Sequence, residues 1–328
     1  MNRCCSADMY TIEPMQISVI VLSYNRRDEL KITLSEILKQ KEVVMEIIVA
    51  DNASSDGTRE MLSADFPQVK VLAFDQNYGT HARRLAASSA SAQYLLFYDD
   101  DSAPSTPQDV SRIVAFFEWH PEAAALCTNI YRTRSNFYET WGWERYAVSE
   151  TSDGAYEGLF IHGSGMAFRR EMLLRTDAFG SDLFWGDEEF EAALEFVSRG
   201  LRIFYLPFVV THHRASYKNR NKSGYCRAVT RNRLLTILKY FSFLRAIEYS
   251  FKEIIYELIL ARGTLWSVCL GISDYLRLAP AFYKRRRVIP EGWVPYLREV
   301  RERRYPGPWR WFRNQWEGRR YRKVKVYE

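Results

Sequence analysis

From residue 17 onward the chain alternates two patterns. Short apolar runs, "ISVIVLS", "MEIIVAD", "VKVLAF" and "YLLFY", are separated by segments with helical spacing, "DELKITLSEILKQ", "DGTREMLSADF" and "GTHARRLAASSASA". The apolar runs are short and bounded by turn formers, which predicts buried strands. Strands alternating with helices of this length predict an α/β fold, a mainly parallel sheet with helices on its faces. Ligands of such sheets lie beyond the carboxyl ends of the strands. Three of those ends are polar, "SYNRR", "DNASSDGT" and "DDDSAP", and they define one candidate cleft.

A further strand, "AALCTNI", precedes "YRTRSNFYETWGWERYAVSE", which has neither period and reads as a long loop able to cover that cleft. In "FWGDEEFEAALEFVSRG", Phe190, Ala193, Leu194 and Val197 make one apolar helix face. Glu188, Glu191 and Glu195 share the polar face, Glu189 lies at the flank, and Gly200 is placed to cap the helix. The strand "LRIFYLPFVVTHH" follows. Beyond about residue 225 the pattern is helical, with a stripe of Ile247, Phe251, Ile254, Ile255 and Leu258 expected to pack on a neighbouring domain. The organisation expected is a leader over 1–15, an α/β domain over 16–224, a helical extension over 225–276 and a tail over 277–328.

Composition narrows this picture. At 47% hydrophobic and 15% aromatic the chain is expected to fold rather than remain disordered. No run approaches the ~18 apolar residues of a membrane span. The N-terminus lacks the apolar core and cleavage site of a secretory signal, so a cytoplasmic location is expected. Five cysteines show no metal or redox spacing and read as reduced thiols. The net charge of +6 conceals an asymmetry: residues 277–328 hold 16 Lys and Arg against 5 Asp and Glu. Interleaved with Trp309, Trp311, Phe312 and Trp316, that tail suits peripheral contact with an anionic membrane, or serves as a solvated appendage. Nucleic acid is not an expected partner, because no nucleic-acid motif accompanies the charge.

The sharpest chemical signal is "YLLFYDDDSAP", a buried strand that runs straight into three carboxylates. Adjacent carboxylates about 5 Å apart at an effective dielectric of about 20 repel by roughly 3 kcal/mol per pair. Asp99 and Asp101 point the same way on an extended backbone, and hard oxygen ligands there suit Mg²⁺ or Mn²⁺ with phosphate oxygens completing the shell. That implies a diphosphate ligand. Asp51 and Asn52 end the second strand, where a carboxylate can accept hydrogen bonds from a base or sugar. Of Arg83 and Arg84, one could meet phosphate and the other solvent.

Together, "ISVIVLSYNRRDEL", "IIVADNASSDGT", "NYGTHARR", "LLFYDDDSAP", "GSGMAFRREML", "WGDEEFEAALEFVSRG", "LPFVVTHH" and "RNRLL" resemble the family 2 glycosyltransferases of the GT-A fold, a Rossmann-like mainly parallel sheet with flanking helices. The likeness is greatest to bacterial rhamnosyltransferase-like enzymes of surface polysaccharide assembly, and it covers residues 17 to about 240. It implies that Asp51 contacts the nucleotide base, Asp99 the ribose or the metal, and Asp101 the metal directly, with His212 or His213 as a further metal contact. Ser23, Asn25, Arg26, Arg83 and Asp100 would complete the donor nucleotide site. Gly163, Ser164, Gly165, Trp185 and Asp187 would line the acceptor side of the cleft. Glu189, or else Glu188, would be the base that deprotonates the acceptor hydroxyl.

The reaction implied is an inverting, metal-dependent transfer from a nucleoside diphosphate sugar, dTDP-rhamnose among the candidates, to a glycan or lipid-linked glycan. A sugar-phosphate nucleotidyltransferase could use a similar sheet, but "LSYNRRDEL" lacks the glycine-rich phosphate loop such an enzyme is expected to carry. A non-catalytic glycan-binding protein would not require both the acidic triplet and a later acidic helix start.

Overall fold

A computed structural model describes residues 16–140, 147–180, 182–215, 222–260, 265–294 and 297. The leader expected over 1–15 and the Trp-rich part of the basic tail lie outside the described residues. The strands are β1 (Ile17–Ser23), β2 (Met45–Asp51), β3 (Lys70–Ala73), β4 (Tyr94–Asp99), β5 (Ser102–Pro104), β6 (Ala123–Arg132), β7 (Phe137–Tyr138), β8 (Ser149–Glu150), β9 (Tyr156–Glu157), β10 (Met166–Arg169) and β11 (Arg202–His213). The helices are α1 (Arg27–Ile37), α2 (Thr58–Asp65), α3 (His81–Ser89), α4 (Asp109–Trp119), α5 (Arg170–Leu174), α6 (Glu188–Ser198), α7 (Lys222–Tyr240), α8 (Phe243–Leu260) and α9 (Leu265–Lys284).

One sheet runs in the order β3-β2-β1-β4-β10-β6-β11-β9-β8. Its first four strands are parallel, β10 is antiparallel to both neighbours, and β6 and β11 are parallel to each other. In β1 and β4, Ile20, Leu95 and Phe97 enter one apolar core, while Val19, Val21, Leu96 and Tyr98 enter the other, with Leu30, Leu34, Ile113 and Phe117 of α1 and α4. Burial on both faces is why these strands read as continuous apolar runs rather than as alternation.

Register puts the polar strand ends level. Ser23 pairs with Asp51, and Leu22 with Asp99, so β2, β1 and β4 end side by side. After Asp99 the chain turns through Asp100 and Asp101 into β5, which pairs antiparallel with β11 so that Ser102 faces His213. The antiparallel β10 starts at the same edge, because Met166 pairs with Phe97.

The helical part departs from expectation in three ways. The boundaries expected at 224/225 and 276/277 fall inside α7 and α9. The polar face of α6 is buried: Lys239 Nζ donates to Glu191 at 2.8 Å, and the Tyr240 hydroxyl lies 2.6 Å from both Glu191 and Glu195. A helical wheel reports polarity, whereas α7 supplies the cover. The α8 stripe is exposed except at the half-buried Ile254, because α8 instead turns Ala246, Tyr249 and Glu253 inward. Gly200 does end α6 in a left-handed conformation, at φ +73°. No helix among the described residues is long and apolar enough to cross a membrane.

Candidate active site

Asp99, Asp101 and His213 converge, each offering a ligand atom within 4.8 Å of the others. β5 and β11 create this meeting, since pairing Ser102 with His213 carries the preceding Asp101 to the imidazole. His213 Nε2 is 3.5 Å from Asp101 Oδ1. Its other nitrogen, Nδ1, lies 2.6 Å from Glu139 Oε2, which fixes the ring. A carboxylate holding the far nitrogen is the usual support of a metal-ligating histidine. Nε2 itself is buried and faces two carboxylates, the long contact to Asp101 being its link to them. This donor set fits a divalent cation. His212, one residue away on the other side of the strand, packs against Tyr131 instead.

The repulsion within the triplet is answered by two arginines. Arg26 spans Asp100, at 2.7 Å, and Asp101, at 2.6 Å. Arg83, itself buried, holds Asp99 at 2.5 Å and stands 3.7 Å from Glu188. Burial pushes the Asp100 carboxyl up to about 8 against the pull of Arg26. Burial also works to raise Asp101, but the His213 hydrogen bond and the Arg26 charge outweigh it and hold Asp101 well below the usual carboxylate range. For His213, burial disfavours the imidazolium, yet Asp101 and Glu139 on its two sides raise it to about 9. Without a metal, a proton on His213 and the Arg26 guanidinium supply the positive charge.

The acidic helix start meets this cluster from above. Gly163 donates its N–H to Glu189 Oε1 at 3.2 Å, and Ser164 Oγ donates to Asp99 Oδ2 at 3.2 Å. A Cβ on Gly163 would sit 2.8 Å from Glu189 Oε1 and 3.2 Å from Arg83 Nη2, so a side chain here would crowd both groups. Glu188 is buried and Glu189 half-buried. Burial, together with the neighbouring Glu189 charge, raises the Glu188 carboxyl to about 8.

Two contacts hold this distant segment in place. Thr80 N–H donates to Phe184 O at 2.9 Å, and Gly79, at φ +59°, lets the backbones touch: a Cβ there would fall 2.0 Å from that same oxygen. From the other side, Asn232 of α7 donates to the carbonyls of Trp185 and Gly186, and Arg233 reaches Asp187 at 3.3 Å. Trp185 also packs on Tyr225. The "RNRLL" motif thus supports the turn that delivers the acids.

Other expected site residues have structural partners. Asp51 is fully buried, bound by Arg59 at 2.5 Å and by Ser54 N–H at 3.1 Å. Asn25, at φ +53°, ties the loop after β1 to Ser54 and Ser55, and Ser23 is buried below it. Arg84 does not face solvent; it donates to the carbonyls of Leu173, Leu174 and Ala178 at the end of α5. A Cβ on Gly165 would collide with Thr128 and Thr211 on the sheet, away from the carboxylates. Sequence reasoning missed Glu139 and passed over His162, whose ring lies 6.1 Å from that of His213. The one signal for Glu139 was its place in a long loop beside the cleft.

Comparison with known proteins agrees with this layout. Residues 18–176 match the family model "Glycosyl transferase family 2". An uncharacterized protein of Mycobacterium tuberculosis is 25% identical over 167 residues, so the match spans 47% of each chain, about half the relative's length. The putative teichuronic acid biosynthesis glycosyltransferase TuaG of Bacillus subtilis is 35% identical over 89 residues, 26% of this chain and 35% of its own. The Escherichia coli protein WfaP, a UDP-Glc:α-D-GlcNAc-diphosphoundecaprenol β-1,3-glucosyltransferase, is 23% identical over 202 residues, 60% of this chain and 76% of its own. Among solved structures, the Pyrobaculum calidifontis mannosyltransferase in complex with GDP-Man and Mn²⁺ matches at TM-score 0.54 and 19% identity, over 83% of this chain and 76% of that one. Staphylococcus aureus TarS 1–349 matches at 0.58 and 16%, over 83% of each. The chain thus has the GT-A glycosyltransferase fold, and a stretch of just under half its length, which contains the acidic strand end, is similar to glycosyl transferase family 2.

Proposed function

We propose that the chain moves a glycosyl unit from a nucleoside diphosphate sugar to a hydroxyl of a glycan or lipid-linked glycan of the cell surface, in one inverting displacement. The observation that carries this reading is the meeting of two acidic groups of different character. Asp99 and Asp101 gather with His213 at the strand ends, and Glu188 and Glu189 approach them from α6 through Gly163 and Arg83. Bound at Asp101 and His213 with Asp99 beside them, Mn²⁺ or Mg²⁺ would supply the charge that neutralises a departing diphosphate.

In this reading Glu189 accepts the acceptor's proton as the hydroxyl oxygen bonds to the anomeric carbon. The bond from that carbon to the diphosphate breaks, and its electron pair leaves with the nucleoside diphosphate. Glu189 suits the task better than Glu188, because it is less buried, whereas burial and the neighbouring Glu189 charge raise the Glu188 carboxyl and favour its neutral form. Arg83 holds Asp99 in place while the Gly163 N–H orients Glu189.

The donor panel to test comprises UDP-, GDP- and dTDP-sugars with Mn²⁺ or Mg²⁺, beginning with dTDP-rhamnose, which the rhamnosyltransferase likeness favours. The measurement is nucleoside diphosphate release, with the product's anomeric configuration read by NMR. Asp101→Ala and Glu189→Gln are expected to abolish transfer, whereas full activity in either would remove that residue's role. Pyrophosphate release from a nucleoside triphosphate and a sugar phosphate would instead identify a nucleotidyltransferase.

A further inference from the structure

The catalytic reading leaves the exposed stripe of α8 unused. Phe243, Leu244, Ile247, Phe251, Ile255 and Leu258 project from one arc of the helix, and each is between 41% and 79% exposed. Scattered exposed apolar residues are ordinary, but six large ones in helical register form a continuous face. The acids of α8 do not share it. Glu253 and Glu257 turn inward to Arg233, at 3.0 and 2.7 Å, and Glu248 is neutralised by Lys252 along the rim.

Charge at one end of the face gives it a direction. The run Lys284–Arg287 leaves α9 and is pinned to the corner where α7 passes into α8. Arg287 N–H donates to Lys239 O at 2.9 Å, Ile289 N–H to Tyr240 O at 3.0 Å, and the Arg286 guanidinium to Phe241 O. Arg285 is paired with Asp182 and Arg245 with Glu291, each at 2.6 Å, which leaves the exposed Lys284 and Arg287 as the charge at the corner that leads into Phe243 and Leu244. An apolar helical face with a basic flank is the chemistry of an anionic lipid surface, where large side chains enter the headgroup boundary and cations meet phosphates. A second copy of the chain would bring the same positive charge to this face.

We infer that α8 lies flat on an anionic membrane, its Phe243–Leu258 face in the headgroup layer and Lys284 and Arg287 on the lipid phosphates. This places the apolar part of the contact on α8, within the packed body of the protein. The inference does not depend on which donor or acceptor the site uses.

The test is co-sedimentation of the full-length chain with vesicles of phosphatidylcholine alone or with about 30% phosphatidylglycerol. Binding is expected only to the anionic vesicles, and to weaken with salt. The double substitution Leu244→Ser with Phe251→Ser is expected to weaken it by about tenfold or more, and Lys284→Gln with Arg287→Gln to weaken it and blunt its salt dependence. Melting temperatures unchanged from wild type would show both variants folded. Wild-type vesicle binding by the Leu244→Ser/Phe251→Ser protein would overturn the inference, as would a wild-type chain that ignores anionic vesicles. Analytical ultracentrifugation showing a wild-type dimer that this double variant dissociates would assign the face to a second copy instead, and would also overturn it.

Discussion

Arg26→Met isolates the electrostatic core of the site. Arg26 bridges Asp100 and Asp101, whose side chains are nearly inaccessible. Removing one partner of a buried ion pair costs about 3–5 kcal/mol, because the remaining charge has lost both water and counterion. Here the cost falls near the lower end. Burial raises Asp100 to about 8, so without Arg26 it rests neutral rather than as a stranded charge, and Asp101 keeps His213. For a domain of this size each kcal/mol moves the melting temperature by about 2–4 °C, so a loss of about 3 kcal/mol predicts a fall of roughly 6–12 °C. The assay is thermal unfolding followed by circular dichroism at pH 7, with and without Mn²⁺. A bound dication would stand in for part of the missing charge, so the Mn²⁺-induced rise should be at least as large in the variant as in the wild type. A melting temperature within about 2 °C of wild type without metal would refute the reasoning, and would mean that Arg26 serves a ligand rather than the triplet.

Mn²⁺ affinity measured by titration calorimetry should vanish in Asp101→Asn and His213→Ala and stay near wild type in His212→Ala. It should fall about 10–100-fold in Glu139→Gln, which loosens the imidazole without touching the ion. Acid stability should report Glu195. Burial tends to raise this carboxyl, but the Tyr240 hydrogen bond and the Lys239 charge bring it down to about 2 from its ordinary 4.5. At about 1.36 kcal/mol per unit, that is roughly 3 kcal/mol of stability, fully present above pH 4.5 and lost as pH falls towards 2. Urea denaturation across this window should show the loss in the wild type and little of it in Glu195→Gln; equal slopes would argue against it.

Much of the sheet was legible because β1, β2 and β4 are buried on both faces and bounded by polar turns, which sequence displays directly. The three level strand ends followed from the same pattern. The choice between His212 and His213 was not legible, because it depends on the register of β5 against β11, and two adjacent histidines look alike in any linear pattern. Arg26 and Arg83 were expected in the donor nucleotide site, yet they first balance the chain's own carboxylates; sequence gives a cation's sign but not its partner. Glu139 was hidden for a related reason, being 74 positions from His213 within a loop without period. On α6 and α8 the amphipathic reading predicted the wrong outcome in opposite directions. Lys239 and Tyr240 make a polar face buriable on α6, while the inward Glu253 and Glu257 of α8 find Arg233 and leave the apolar stripe outside.

The contacts of α7 also bear on how such a protein can be recombined. The family match ends at residue 176, before α6, β11 and the helices that follow. A chimera joined there would keep the triplet but separate Thr80 from Phe184, α1 from Arg214, which binds Glu29, and Asp101 from His213. Downstream, Asn232 and Arg233 clasp the turn before α6 while Lys239 and Tyr240 clamp its second turn, so α6 through α8 would have to be exchanged as one cassette. The joint that a domain boundary suggests is thus a seam through the candidate site, and under the proposed function acceptor preference would be inherited with the helices rather than with the strand ends.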